Sequence, residues 1–345
     1  MENKTLNASG GIRSHLKGYL KEQAIPIGVL LCMIVIGSLL TPMFLTSLNL
    51  QNLFIQQSSN MVAALGMFVA ILSGGIDLSI GSVMAVSSVF CASLLVMTNN
   101  IPVAVLGALV ICAVLGTVNG LIVAKLRVAP FIVTLGMMEF ARGIAYWYTN
   151  SAPVSWKNAE CASVFSFIGK GRLFGAIPTL SVIMMVCIVI VWFIVKKTSL
   201  GRIIYAIGGN EKAAFLNGIK IEKAKLTAYC VAGLCAAICG ILLTAQTRSG
   251  DPTAANNFTN NSIAAAVLGG ASLMGGKGSY FGSIAGAMTL SLIVGLLIFW
   301  NISSYYQNLV QGIILILALS VGFFTAYAKQ KREKAEAVAE EKEAA

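Results

Sequence analysis

Charge is scarce in this sequence. Asp, Glu, Lys and Arg make up 11% of its 345 residues, where a water-soluble chain carries about 25%. That leaves too little polar surface to cover a soluble particle of this size, and a water-soluble enzyme is excluded. Histidine is almost missing. The single copy, His15, lies in the polar N-terminal stretch, which removes histidine-based catalysis and any histidine metal site. The eight cysteines show no metal-site spacing. Cys32, Cys91, Cys112, Cys187, Cys230, Cys235 and Cys239 sit in apolar runs, and only Cys161 falls in a loop. They read as small membrane-buried hydrophobes. A nucleotide-binding loop is missing too. Gly275-Gly276-Lys277-Gly278 has Ala271 where Gly-x4-Gly-Lys-[Ser/Thr] needs its first glycine, and Gly278 follows the lysine. The sequence therefore points to no catalytic residue, no metal and no cofactor held by this chain.

What fills the sequence is apolar: 57% of residues are hydrophobic and the mean hydropathy is +0.83. Stretches of about 20 apolar residues are what a helix needs to cross a bilayer. They recur at 25–45, 53–72, 81–97, 102–124, 131–148, 178–196, 225–246, 262–275, 280–299 and 307–327. The expected fold is all-α, a polytopic membrane protein of about ten transmembrane helices, the eighth short and rich in small residues. A polar tail at 1–24 precedes this domain of 25–327, and an Ala/Glu/Lys-rich tail at 328–345 follows it.

The net charge of +11 sets orientation rather than nucleic-acid binding, because the basic residues adjoin apolar spans. With the N-terminus inside, Lys157, Lys170, Arg172 and Arg248 alone fall outside and Arg142 falls within a span. The positive-inside rule thus places both termini in the cytoplasm of a multi-pass protein. An outside loop runs from Asn150 to Ile177, and a cytoplasmic one, 197–223, carries five basic residues.

Two apolar runs are broken alike, at Gly74-Gly-Ile-Asp-Leu-Ser-Ile-Gly81 and Gly269-Gly-Ala-Ser-Leu-Met-Gly-Gly276. Paired, glycine-interrupted segments point to a transport pathway, and re-entrant backbone is expected at both. Charges inside the membrane are functional candidates because each costs about 2.5–3.5 kcal/mol at a helix centre. Only Asp77, Glu139 and Arg142 qualify. Asp77 or Ser79 can cap the following helix or line a polar cavity. Glu139 and Arg142, three apart, share a face and are expected to pair. Asn60, Gln56, Gln57 and Asn119 add amides, which suit hydroxylated solutes. Gly116 and Gly120 have the spacing of close helix packing.

In the cytoplasmic loop, Asn210 suits an N-cap, Glu211 the positive helix end and Gly218 the C′ position. The segment 210–217 encodes a two-turn helix of about 10 Å. Standing outside the membrane, it either receives a partner or lies on lipid headgroups.

In these motifs the sequence resembles the permease subunits of bacterial ATP-binding-cassette importers of the ribose/galactose/xylose class. The matching pieces run in order. Ala64-Leu-Gly-Met67 leads to Ser73-Gly-Gly-Ile-Asp-Leu-Ser-Ile-Gly-Ser82, then come Asn119-Gly-Leu-Ile122 and Pro130-Phe-Ile-Val-Thr-Leu-Gly136 with Arg142-Gly143. Gly201-Arg202 and Ala206-Ile-Gly-Gly-Asn-Glu211 follow, with Ala213-Ala214 and Gly218-Ile219, and Ile263-Ala-Ala265 with Gly269–Gly276 closes the series.

The resemblance implies a non-enzymatic channel half for a monosaccharide-like solute in the bacterial cytoplasmic membrane. A second permease copy or paralogue would complete the pathway, and an extracytoplasmic binding protein would deliver the solute. A cytoplasmic ATPase, the user of ATP, would dock through Arg202, Asn210, Glu211, Ala213, Ala214 and Gly218. Asn60, Asp77, Ser79, Asn119, Glu139 and Arg142 become candidate pathway residues. Nucleosides, autoinducer-type signals and branched-chain amino acids are alternative solutes, and a proton-coupled secondary transporter is the rival class. One departure stands out: Asn260-Asn261-Ser262 occupies the place of a Glu-Leu-Asp run common in the family, so two negative charges are missing.

Overall fold

The computed structural model describes residues 8–320, with side chains from Gln23 onward. The tail at 328–345 and the end of the last expected span lie outside the described residues. The chain is a helical bundle. Helix α1 (Ala8–Leu40) is followed by α2 (Ser47–Leu72), α3 (Ile80–Thr98), α4 (Ile101–Lys125) and α5 (Pro130–Thr149). After a long connection come α7 (Thr179–Lys197), α8 (Ser199–Gly209), α9 (Glu211–Leu216) and α10 (Ile221–Thr247). Then follow α11 (Phe258–Leu268), α12 (Tyr280–Phe299) and helical residues 304–320. Within the connection between α5 and α7 lies α6 (Ala162–Lys170).

Among the described residues, seven helices are long and apolar enough to cross a membrane: α1, α2, α3, α4, α7, α10 and α12. The chain is thus a multi-pass, all-α membrane protein. Helix α5 is 20 residues long but carries Glu139 and Arg142. Helix α11, at 11 residues, spans only about 16 Å, and an irregular stretch follows it to Ser279. The first boundary differs from expectation. Helix α1 stops at Leu40, and apolar Met43, Phe44 and Leu45 form a turn whose Phe44 is buried beneath α1 against Gly37.

Helix α2 is the centre of the bundle. From Gln57 to Leu72 nearly every residue is buried, as expected of a helix apolar on all sides. With lipid tails as apolar as leucine, helices here associate by close packing, and small residues allow it. At the α4–α10 crossing a Cβ added to Gly116 would sit 3.1 Å from the Gly233 Cα and 2.5 Å from the Tyr229 carbonyl oxygen. Gly120 meets Leu226 in the same way. The glycine spacing in α4 is therefore a packing feature.

The connection between α5 and α7 is ordered by short pairings. Strand β1 (Val154–Ser155) pairs antiparallel with β4 (Ser249–Gly250), and β2 (Arg172–Leu173) pairs with β3 (Ile177–Pro178). Trp156 is buried edge-on against Phe165, at 4.9 Å between ring centroids, and its indole N–H donates to the Thr244 carbonyl. Cys161 approaches the Leu95 carbonyl in the same small core that holds Cys91.

Candidate functional site

The connection from 197 to 223 is mostly helix. Thr198 caps α8 by accepting from the Gly201 N–H, and α8 buries Gly201, Ile204 and Ile207 while Arg202 stays exposed. Three glycines disguise this helix in the sequence. Asn210 then caps α9, its Oδ1 accepting from the Ala213 N–H at 3.0 Å. Gly218, at φ +77°, ends it, with the Ile219 N–H returning to the Ala214 carbonyl. Glu211 pairs with Lys225 of α10 at 2.6 Å. Ala214 is buried against Ile207 and Ala224, whereas Ala213 is exposed. Phe215 and Leu216 are 67% and 83% exposed; their side chains were not among the expected docking residues.

The end of α8 reaches the two broken segments. The Gly276 N–H donates to the Leu72 carbonyl at 3.0 Å, and the Tyr205 hydroxyl of α8 donates to the Gly278 carbonyl at 2.9 Å. Around this point three glycine pairs meet: Gly74-Gly75, Gly208-Gly209 and Gly275-Gly276. A Cβ at Gly275 would lie 2.7 Å from the Gly74 Cα and 2.9 Å from the Gly208 carbonyl oxygen. One at Gly208 would overlap the Leu72 carbonyl. The two breaks that echo each other in sequence thus touch in space, with the base of the α8–α9 unit wedged between them.

Asp77, Ser79 and Asn119 form one buried chain of hydrogen bonds. Asp77 is 2% exposed, and its Oδ1 accepts from the Ser79 N–H at 2.9 Å and the Ser79 hydroxyl at 2.5 Å. The Asn119 amide donates to the Ser79 Oγ at 2.9 Å. Asp77 therefore closes the turn that leads into α3, and the Gly81 N–H in the first turn of α3 donates to the Thr259 Oγ1 at 3.1 Å. The irregular backbone between α2 and α3 is clamped by neighbours, since buried carbonyls in a membrane protein need donors. Thr134 of α5 donates to the Ile76 carbonyl at 3.0 Å, and Thr259 of α11 to the Leu78 carbonyl at 3.2 Å. Neither threonine stood out in the sequence. The Tyr229 hydroxyl, buried and without a partner, abuts Gly75.

The expected ion pair between Glu139 and Arg142 does not form. Arg142 Nη1 donates instead to the Pro252 and Ala254 carbonyls, at 2.7 and 2.8 Å, and Glu139 faces outward from the bundle. Among the described residues the only ion pair is that of Lys225 with Glu211. The irregular loop before α11 leaves carbonyls that a guanidinium satisfies better than a single carboxylate could reward it.

Asn60 lies apart from this network. It donates to the Gln57 Oε1 at 2.7 Å and borders a cavity of about 70 Å³. Asn261, Ser291 and Gln311 also line that cavity, from α11, α12 and 304–320. Gln56 is exposed and does not border it. Polar residues at 291 and 311 inside apolar runs were the available signal, but nothing in the sequence joined them to position 60. No group of His, Cys, Asp or Glu among the described residues could hold a metal ion.

The chain matches the family model described as "Branched-chain amino acid transport system / permease component" over residues 49–319. It is 42% identical to the ribose import permease protein of Escherichia coli K12, covering 92% of this chain and 98% of that protein. It is 32% identical to the D-allose transport system permease protein of the same organism, over 83% and 87% of the two chains. Identity to the L-arabinose ABC transporter permease protein of Azospirillum brasilense is also 32%, over 86% and 85%. No solved structure matches. A non-catalytic helical bundle with a family model across most of its length, and full-length relatives among import permeases, belongs to the permease components of ATP-binding-cassette importers, in which ATP hydrolysis resides in a separate subunit.

Proposed function

We propose that the chain forms half of the membrane pathway of a monosaccharide importer in the cytoplasmic membrane, paired with an identical or paralogous permease. A cytoplasmic ATPase docks on α9, and an extracytoplasmic binding protein delivers the solute. The chain binds no cofactor of its own. Ten segments make up the bundle: the seven long apolar helices, α5, the half-length α11 and the helix beginning at 304. Both termini are cytoplasmic. The ribose, allose and arabinose permeases support the sugar reading. The open outer pocket of about 360 Å³ bordered by Lys170 and Arg172 suits an acidic rim on the binding protein.

The observation that carries the reading is the α8–α9 unit. It is separately capped, presents exposed Phe215 and Leu216, and is joined at its base to both broken segments. Such a part is built to be moved from outside the bundle. Lipid headgroups could cover the two apolar side chains, but they would give the junction nothing to transmit. A proton-coupled mechanism needs a relay, and Glu139, Arg142 and Asp77 do not connect.

Burying a large apolar side chain is worth about 1.5–3 kcal/mol. Replacing Phe215 and Leu216 together with Ser is therefore expected to weaken capture of the cognate ATPase by detergent-solubilised permease by about a hundredfold or more. Ala213→Arg is expected to block docking while leaving the bundle intact, whereas Ala214→Arg also disrupts the packing of α9. Undiminished capture by the Phe215/Leu216 variant would refute the assignment.

A further inference from the structure

We infer that the cavity among Gln57, Asn60, Asn261, Ser291 and Gln311 is the station at which a neutral, polyhydroxylated solute is held on its way through the bundle. This rests on the reading of the chain as a sugar pathway. Residues from four separate elements converge here, and none of the lining side chains carries a charge. Four of the five polar ones are primary amides. An amide offers both donors and an acceptor, and a sugar hydroxyl needs both.

Part of this capacity is unspent. The Asn60 Oδ1 is buried without a partner, a position that ordinarily must find a donor. Ser291 gives its proton to the Ala287 carbonyl at 2.6 Å, which leaves its oxygen free to accept. Ala265, Ala287 and Leu290 supply an apolar wall for the C–H face of a sugar ring. Asn261 belongs to the Asn260-Asn261-Ser262 departure, so this altered stretch borders the cavity.

The same lining discriminates. A free amino acid carries an ammonium and a carboxylate, and burying either without a partner costs far more than burying a hydroxyl. The cavity thus disfavours the branched-chain amino acids in the family's description. Its volume is about 70 Å³ and the pocket is partly open, so a sugar ring is seated fully only when α2, α11, α12 and 304–320 part further.

The test uses the full complex in proteoliposomes: permease, cognate ATPase and binding protein saturated with D-ribose. The quantity read is ribose moved per ATP hydrolysed, since misfolding lowers uptake and hydrolysis together. Asn60→Leu and Asn261→Leu are expected to lower this ratio about tenfold, the loss for one buried polar group left unpaired. Asn60→Ser, which keeps a hydrogen-bonding group, is expected to retain most of it. An unchanged ratio in both leucine variants overturns the station, leaving the importer reading intact. A wild-type complex that moves leucine and no sugar overturns both. Should either leucine variant fail to insert, Gln311→Leu and Ser291→Ala carry the same expectation and the same refutation.

Discussion

Replacing Gly208 with Ala tests the junction where α8 meets the two broken segments. The added Cβ would overlap the Leu72 carbonyl oxygen and stand 2.5 Å from the Gly276 nitrogen. Carbon contacts are comfortable only at about 3.5–4.0 Å, so the backbones must separate by about 1 Å or more. That movement pulls on the Gly276-to-Leu72 hydrogen bond, now 3.0 Å, and on the Tyr205-to-Gly278 bond, now 2.9 Å. An unmade backbone bond costs about 1–3 kcal/mol and overpacking about 1–3 more. The gain in helix propensity returns only about 0.5–1.

A net disturbance of about 1–5 kcal/mol is comparable to or larger than a typical coupling free energy between sites. The adjacent residue is a matched control, because a Cβ on Gly209 meets nothing within 4 Å. In proteoliposomes with the cognate ATPase and binding protein, Gly208→Ala is expected to cut ATP-driven uptake about tenfold or more. Gly209→Ala is expected to behave as wild type. Equal uptake by the two variants would refute the claim that the junction transmits motion.

Substitutions at two further positions separate structural from electrostatic roles. Asp77→Ala strands the Ser79 N–H and releases the Ser79 hydroxyl that Asn119 holds, so its thermal midpoint should fall by an amount equivalent to about 1–3 kcal/mol. Asp77→Asn keeps an acceptor oxygen and should stay near wild type in stability and uptake; loss of uptake in the stable Asn variant would show that the charge itself is required. Arg142→Leu removes two charge-assisted bonds to the Pro252 and Ala254 carbonyls and should destabilise the protein by about 3 kcal/mol or more. Arg142→Lys should recover part of this in thermal unfolding, and equal midpoints for Leu and wild type would dismiss the clamp.

Seven of the expected spans were legible because bilayer thickness imposes a length on apolar runs, and Asn210 and Gly218 were legible because caps are local chemistry. What failed required knowledge of neighbours. Phe44 reads as a continuation of α1 until its burial under Gly37 is seen. Helix α8 was hidden because its three glycines dilute the pattern of Gly201, Ile204 and Ile207. Glu139 sits at the right spacing for Arg142, yet the loop before α11 competes with the Pro252 and Ala254 carbonyls. The two glycine breaks were visible as a pair, but that Gly208 completes them depends on a contact across some 130 residues. The amide cavity draws on positions 57 to 311, a separation that no local pattern spans.

The most direct measurement of the central claim is uptake of labelled D-ribose by proteoliposomes containing this permease, with cognate ATPase and loaded binding protein added or withheld. Uptake that requires ATP and both partners, and persists when a protonophore collapses the proton gradient, is the predicted result. Uptake that continues without the ATPase and stops with the protonophore would contradict it.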